Sequence, residues 1–444
     1  MQRIKELDGL RALAIGAVLL VHFRPVHHPV FNWMAFGWAG VDLFFVISGF
    51  LITGILWNLR HHPSPFREFY RRRTLRIFPP YYLALCLILI SARLHGESIP
   101  SREQFENWFF LSSLKGLSLN LMASRLFLRT GFSNAPLALD FHRLVLFERG
   151  LRVFWSLSVE ELFYLFWAPV VLKGSKRFII FCSITPLFVC PAIRGFSHTA
   201  TFMETGNFFA RFDSLAAGAC LALLLIGVKR GPIPIRVVDR VAWIVMPVSA
   251  VAIVLLAWWC GAFRSIQVKS TLAFAVLGYS LIAAFCASVV AVCVRWSDTR
   301  LTEVIRFQPL VYLGSISYMM YLVHLPVYVA IGILLARLGL LHHIEAVQGT
   351  LAVGLTVVFS ASSWKYFESP ILRFKDRTSV VFDRKLPSRP EVQSVPLGSC
   401  LQIKAAHGNG SGQHPSRPVE NAVLHPPLAA LSMLKRGRQH ITRP

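Results

Sequence analysis

Long apolar runs separated by short polar segments dominate the chain. A helix needs about 20 apolar residues to cross the hydrocarbon core of a bilayer. Runs that approach or exceed this length lie at residues 7–23, 36–57, 77–93, 155–172, 177–194, 207–228, 241–260, 271–294, 308–336 and 349–367. The pattern predicts an all-α integral membrane protein with about ten transmembrane helices.

A weaker run at residues 105–121 is interrupted by polar and charged side chains, and its placement decides the topology. Lysine and arginine accumulate on cytoplasmic loops of membrane proteins. If this run does not span and the N-terminus is cytoplasmic, most basic residues of the short loops fall on the cytoplasmic side. The short outer loops then hold only Arg24, Arg264, Lys269 and Arg337. The charge bias therefore predicts ten spans with both termini cytoplasmic, and a run at 105–121 that is interfacial or re-entrant.

Two segments outside the spans differ in character from the rest of the chain. Residues 94–154 form a long outer loop rich in aromatic residues, and loops of this length are usually functional or disordered. Residues 371–444 are rich in Pro, Ser, Gly, Arg and His, which is typical of a disordered basic tail. We therefore expect a membrane domain at 1–370, an acceptor-docking surface at 94–154 and a cytoplasmic tail at 371–444.

The composition agrees with placement in a membrane. Hydrophobic residues make up 55% of the 444 positions and charged residues only 15%, whereas a soluble chain carries about a quarter charged residues. The formal net charge of +24 is explained by cytoplasmic loops and a tail that face anionic lipid. No zinc-finger spacing or RNA-binding signature accompanies it, so no nucleic-acid partner is expected. The eight cysteines contain no CxxC pair, and no metal site is expected.

Ionisable residues within spans are costly and often functional. Arg11 and His22 in the first span are spaced i, i+11, which places them on one helix face about 16 Å apart along the axis. Arg11 would lie near the cytoplasmic surface and His22 near the outer one. A snorkelling arginine and an interfacial histidine are the alternative, but the shared face favours a functional role.

The second and third spans add further charged candidates. Asp42 lies near the predicted outer end of the second span and is expected to pair with a cation such as His22 or Arg24. Arg73 and Arg76 precede the third span at i, i+3, so both can point into the helix bundle. Arginine forks bind phosphate, and coenzyme A carries a diphosphate and a 3′-phosphate. A purely topological role for these arginines is the alternative.

The fourth span begins with the sequence WSLSVEE. Its neighbouring carboxylates, Glu160 and Glu161, cannot share one helix face. One is expected to point inward and the other to lie at the helix N-terminus, where negative charge is favourable. Ser156 or Ser158 is the alternative cap.

The ninth span contains a polar stripe. Ser317, Tyr321 and His324 follow an i, i+4, i+7 spacing in the sequence SYMMYLVH. Polar side chains within a membrane need partners. The stripe indicates either a functional site or hydrogen-bonded helix packing.

These segments, in this order, resemble the bacterial membrane acyltransferase family 3. The resemblance covers about residues 5–370 and rests on Arg-x10-His in the first span, GVDLFFVISGFLI, the arginine pair, WSLSVEE and SYMMYLVH. Leu162 stands where the family commonly has glutamine. Some members carry a C-terminal esterase-like domain, which we do not expect here, and this puts in doubt a complete acyl relay within one polypeptide.

The resemblance implies an O-acyltransferase of the bacterial inner membrane. The expected donor is cytoplasmic acyl-CoA, by default acetyl-CoA. The expected acceptor is a carbohydrate such as exopolysaccharide, lipopolysaccharide, peptidoglycan or a glycosylated metabolite. Polysaccharide-biosynthesis proteins are possible partners.

The resemblance also implies roles for individual residues. His22 would be catalytic with Arg11 beside it, and Arg73, Arg76 and Arg11 would contact acyl-CoA. Asp42 or Glu160 is expected to orient the His22 imidazole, as the third group of a triad does. The expected substrate contacts are Glu161, Trp155, Tyr318, Tyr321 and His324.

Two other functions are compatible with a polytopic chain of this kind. A transporter or flippase for a glycan or lipid would also use intramembrane charges, but such proteins often show repeated halves, and none is visible here. A non-enzymatic partner of a polysaccharide synthase would leave Arg11 and His22 replaceable.

Overall fold

The structure is a computed structural model. It describes residues 4–23, 34, 36–94, 107–114, 151, 153–197, 208–229, 234–261, 271–297, 299–339 and 345–373. All of them belong to the unit Met1–Lys385, and no strand occurs within these ranges. Most of the predicted outer loop and of the predicted tail lies outside the described residues.

Helices account for the predicted spans. They are α1 (Lys5–Phe23), α2 (Gly40–Leu59), α3 (Pro65–Leu94), α4 (Phe154–Lys173), α5 (Lys176–Ser197), α6 (Phe208–Lys229), α7 (Ile235–Trp259), α8 (Tyr279–Arg295), α9 (Gln308–Arg337) and α10 (Glu345–Ser363). One π-helical turn, Phe274–Gly278, precedes α8, and a second, Trp364–Glu368, follows α10.

These helices confirm the prediction of about ten membrane-spanning segments. Within the described ranges, nine helices are long and apolar enough to cross a membrane. The remaining helix, α1, has 19 residues and carries buried acidic side chains at Glu6 and Asp8. Which side of the membrane each terminus faces stays a prediction.

Two boundaries differ from those predicted. Helix α3 begins at Pro65, well before the predicted start at residue 77. Its polar first half has no apolar run, but Glu68 pairs with Arg71 and Arg72 along the helix. Arg73 and Arg76 therefore lie inside a helix, about 12 Å and about 16 Å from its start at 1.5 Å per residue. The described part of the weak run 105–121 has a helical turn that ends at Phe110, where φ is +56°. No continuous helix occupies residues 107–114.

Glycines allow the helices that carry the candidate residues to approach closely. An added Cβ on Gly49 of α2 would lie 1.9 Å from the carbonyl oxygen of Leu215 in α6. An added Cβ on Gly314 of α9 would lie 1.8 Å from the carbonyl oxygen of Asp8 in α1. Small residues permit such backbone contact in membranes. These contacts hold α2 against α6 and α1 against α9, and so decide which side chains meet.

Candidate active site

Arginines from α1 and α3 gather with acidic side chains at one side of the site. Arg11 donates a hydrogen bond of 3.1 Å from Nη1 to Oδ1 of Asp8. Arg76 lies within electrostatic range of Arg11, Arg73 and Asp8, and also of Glu368 in the π-helical turn that follows α10. We call Arg11, Arg73 and Arg76 the arginine cluster.

Arg73 has a buried hydrogen-bond donor that no described residue satisfies. The Cζ atom of Arg73 lies 4.4 Å from the centroid of the Tyr164 ring, which is a cation–π distance. The Nε of Arg73 is buried and has no hydrogen-bond partner among the described residues. A buried donor without a partner costs about 1–3 kcal/mol. The side chain of Arg76 is exposed, so the cluster presents cationic donors that a ligand oxygen can reach.

The paired carboxylates of α4 lie beside the arginine cluster. Glu160 accepts a hydrogen bond of 2.8 Å from the Ser48 hydroxyl and one of 3.1 Å from the Tyr164 hydroxyl. It also lies within electrostatic range of Arg73 and Arg11, and Glu161 within range of Arg73. Glu160 was expected beside His22, near the outer surface and away from the arginines, and this placement was wrong. Because α3 begins early, Arg73 lies far enough along the helix to interact with Glu160.

The predicted capping of α4 was also wrong. The residue before the helix is Val153, and it makes no side-chain cap hydrogen bond. Glu160 and Glu161 lie about two turns further on, so neither carboxylate is at the helix N-terminus. Ser156 donates to the Val153 carbonyl oxygen, and Ser158 donates to that of Phe110.

Asp42 does not pair with His22 as predicted. Its Oδ1 accepts a hydrogen bond of 2.7 Å from Nη2 of Arg211 and one of 2.8 Å from the Ser214 hydroxyl. Asp42 is completely buried. The close contact of α2 with α6 brings this guanidinium to the carboxylate, while His22 lies on α1. The other predicted partner, Arg24, lies outside the described residues.

A second buried ion pair extends this arrangement. Arg194 of α5 lies 2.8 Å from Asp213 of α6, measured from Nη2 to Oδ2, and it donates to the Ala275 and Ala210 carbonyl oxygens. We call Asp42, Arg211, Asp213 and Arg194 the ion-pair network. The Trp155 ring, a predicted substrate contact, lies 5.9 Å from the Arg211 guanidinium.

The sequence interpretation missed three members of this network. Arg211 and Asp213 lie within the predicted span at 207–228, and Arg194 is the last residue of the span at 177–194. The criterion that selected Arg11 and His22, an ionisable residue inside a span, applies equally to them. Applied to every span, it would have found all three.

We predict that Asp42 stabilises the fold. Removing one partner of a buried ion pair costs about 3–5 kcal/mol, because the other charge stays buried and unpaired. Asp42→Ala should therefore sharply lower the melting temperature and the yield of folded protein. The double variant Asp42→Asn with Arg211→Met should recover part of the loss. If Asp42→Ala melted like wild type but transferred no acyl group, Asp42 would have a catalytic role rather than a structural one.

A pair of histidines forms the other side of the site. The ring centroids of His22 and His324 lie 5.0 Å apart with an interplanar angle of 74°. Nδ1 of His22 lies 3.2 Å from the Val18 carbonyl oxygen, and Nδ1 of His324 lies 2.8 Å from that of Tyr321. Because a carbonyl oxygen only accepts, each Nδ1 carries a proton, and in the neutral imidazole Nε2 then has the lone pair.

This histidine pair replaces the predicted arrangement around His22. Glu160 is hydrogen-bonded to Ser48 and Tyr164, and Asp42 to Arg211 and Ser214 through Oδ1. Neither carboxylate hydrogen-bonds to His22. His324 is completely buried, and its Nε2 has no hydrogen-bond partner within the described part of the chain. A second imidazole therefore packs against the His22 ring.

A small cavity is lined by Glu160, which lies beside the arginine cluster, and by Tyr321, which contacts His324. It has a volume of about 50 Å³ and is lined by Val41, Phe44, Phe45, Ser156, Leu157, Glu160, Tyr318 and Tyr321. The Tyr321 hydroxyl lies 2.6 Å from that of Ser156, and its ring lies 5.7 Å from His324. The Tyr318 hydroxyl donates to the Ile77 carbonyl oxygen in α3. We call this space the central cavity.

The family model described as an acyltransferase domain matches residues 4–365. The chain belongs to this acyltransferase family. The expected membership is thereby confirmed over nearly all of the described residues.

Several curated relatives of the chain are similar over most of its length. It is 24% identical over 444 residues to the peptidoglycan O-acetyltransferase OatA of Listeria monocytogenes, covering 90% of this chain and 60% of that protein. It is 26% identical over 405 residues to the putative peptidoglycan O-acetyltransferase YrhL of Bacillus subtilis, covering 83% of this chain and 55% of that protein. It is 24% identical over 379 residues to the O-acetyltransferase OatA of Staphylococcus aureus, covering 82% of this chain and 56% of that protein.

The family member described here thus spans little more than half the length of the curated relatives that it matches. No solved structure matches it.

Proposed function

We propose that this member of the acyltransferase family transfers an acetyl group from cytoplasmic acetyl-CoA to a carbohydrate hydroxyl at the opposite face of the bacterial cytoplasmic membrane. Its relatives are named as O-acetyltransferases, two of them of peptidoglycan. The predicted topology directs the arginine side of α1 to the cytoplasm and the His22 side outward. The donor and the acceptor then reach the site from opposite faces.

The observation that carries the proposal is the arginine cluster. The buried Nε of Arg73 lacks a partner among the described residues, and the Arg76 side chain is exposed. Phosphate oxygens satisfy arginine donors with charge-assisted hydrogen bonds. The phosphates of coenzyme A would bind here, and the pantetheine arm would extend towards the central cavity and the histidine pair. Arg11 and His22 are about 16 Å apart along α1, a distance that such an arm can cover.

The histidine pair supplies the proton chemistry of the transfer. In the proposed step, Nε2 of His22 takes the proton of the acceptor hydroxyl as its oxygen attacks the thioester carbonyl carbon. The new C–O bond forms the ester, the C–S bond breaks, and the coenzyme A thiolate receives the proton from His22. The His324 ring packs against His22 and holds its orientation, the role first assigned to Asp42 or Glu160.

The O-acetyl content of the host's carbohydrates tests this function. Exopolysaccharide, lipopolysaccharide, peptidoglycan and glycosylated metabolites should be compared by mass spectrometry with and without the gene. The proposal predicts the loss of one acetyl group from a defined sugar in one of these fractions. Unchanged acetylation in every fraction would refute it, and a change only in the amount of exported glycan would identify a transporter.

A further inference from the structure

We infer that the central cavity is the acyl pocket and that it restricts the donor to acetyl-CoA, with Phe44 as the side chain that limits acyl length. This inference rests on the proposed function, because it concerns the donor that the same site would use. It adds the determinant of acyl specificity, which membership of the family does not provide.

The position of the cavity supports this assignment. On one side its lining residue Glu160 is hydrogen-bonded to Tyr164, whose ring lies 4.4 Å from the Arg73 guanidinium. On the other side its lining residue Tyr321 contacts His324, which packs against His22. The lining of the cavity therefore connects the neighbours of the proposed phosphate anchor with the neighbours of the histidine pair, and we assign the thioester of a bound donor to this space.

The chemistry of the lining suits a short acyl group. The apolar side is formed by Val41, Phe44, Phe45 and Leu157, which can surround a methyl group. Ser156 and Tyr321 add two hydroxyls to the lining, and these are hydrogen-bonded to each other and to the Val153 carbonyl oxygen.

The cavity is small, which favours a short acyl group. Its volume is about 50 Å³, whereas pockets for drug-sized ligands have about 300–1,000 Å³. An acetyl group needs far less space than such a ligand. Each further methylene would press on aromatic side chains, and one methylene in a fitted pocket changes discrimination by about 10- to 200-fold.

Phe44 is the lining residue whose shortening best tests the inference. Its ring centroid lies 6.2 Å from that of Tyr321, and its side chain is only half-buried. Phe45 is 1% exposed and its ring centroid lies 6.2 Å from that of Trp155, so shortening it would open the core. Phe50, on the same helix, is buried in another apolar cluster and does not line the cavity. It provides a matched control.

The experiment measures the transfer of labelled acetyl, propionyl and butyryl groups from their coenzyme A thioesters into alkali-labile carbohydrate esters. Membranes containing wild-type protein, Phe44→Ala, Phe44→Leu or Phe50→Leu are compared at equal protein levels. Wild type and Phe50→Leu should strongly prefer acetyl. The Phe44 variants should raise the butyryl-to-acetyl ratio by about 10-fold or more. Phe44→Leu keeps the test valid if Phe44→Ala does not fold.

The outcomes separate this inference from the function on which it rests. Phe44 variants that transfer acetyl with unchanged selectivity would overturn the inference and leave the proposed function intact. Wild-type protein that transfers butyryl as fast as acetyl would also overturn the inference and leave the proposed function intact. Absence of any wild-type transfer from all three donors would instead overturn the proposed function.

Discussion

Replacing His22 with alanine is expected to lower acyl transfer by about 10²- to 10⁴-fold, the usual contribution of a general base. The fold should survive the change. His22 is half-buried at the end of α1, and its Nδ1 lies near the Val18 carbonyl oxygen of the same helix. Its ring makes a T-shaped contact with that of His324. Its removal leaves no unpaired buried charge, so the melting temperature should change little.

The control for His22→Ala is His61→Ala, which removes an exposed imidazole from the connection between α2 and α3. That variant should transfer acyl groups like wild type. Transfer and thermal stability should be measured on both proteins at equal membrane levels. Wild-type transfer by His22→Ala would exclude His22 as the base. Loss of transfer together with loss of folded protein would assign it a structural role.

The double substitution Arg73→Ala with Arg76→Ala should raise the KM for acetyl-CoA much more than the KM for the acceptor. Hydrogen bonds to charged groups contribute about 1.5–3 kcal/mol each, and 1.4 kcal/mol corresponds to a tenfold change in affinity. Losing both arginines should therefore weaken donor binding by at least about 10²-fold. Donor and acceptor concentrations should be varied separately to obtain the two constants.

The same helix offers a control with the same loss of charge. Arg71 and Arg72 are paired with Glu68, with Arg71 Nη2 3.0 Å from Glu68 Oε2. Arg71→Ala with Arg72→Ala should leave the KM for acetyl-CoA nearly unchanged. If both double variants raised this KM equally, general positive charge rather than the arginine cluster would attract the donor. If neither raised it, the proposed anchor would be wrong.

The number and order of the helices could be predicted from the sequence, because each of the ten apolar runs is long enough to cross a bilayer. The start of α3 could not be predicted in this way. Its first half contains a run of arginines, which hydropathy alone would assign to a loop, yet Glu68 pairs with two of them along the helix. Charge pairing within one helix sustains a polar segment that hydropathy would exclude.

Relations along one helix could be predicted from the sequence, whereas contacts between helices could not. The shared face of Arg11 and His22 follows from helical periodicity alone. The pairing of Asp42 with Arg211 depends on the glycine contact between α2 and α6, and that of His22 with His324 on the contact between α1 and α9. Periodicity identifies which face a residue occupies, but only packing determines its partner.

The most direct test of acetyl transfer across the membrane uses sealed vesicles of opposite orientation. Labelled acetyl-CoA, which is too strongly charged to cross a bilayer, is added outside inside-out or right-side-out vesicles that contain wild-type protein. The account predicts protein-dependent, alkali-labile label in the carbohydrate fraction of inside-out vesicles only. Equal labelling in vesicles without the protein, or labelling confined to right-side-out vesicles, would contradict it.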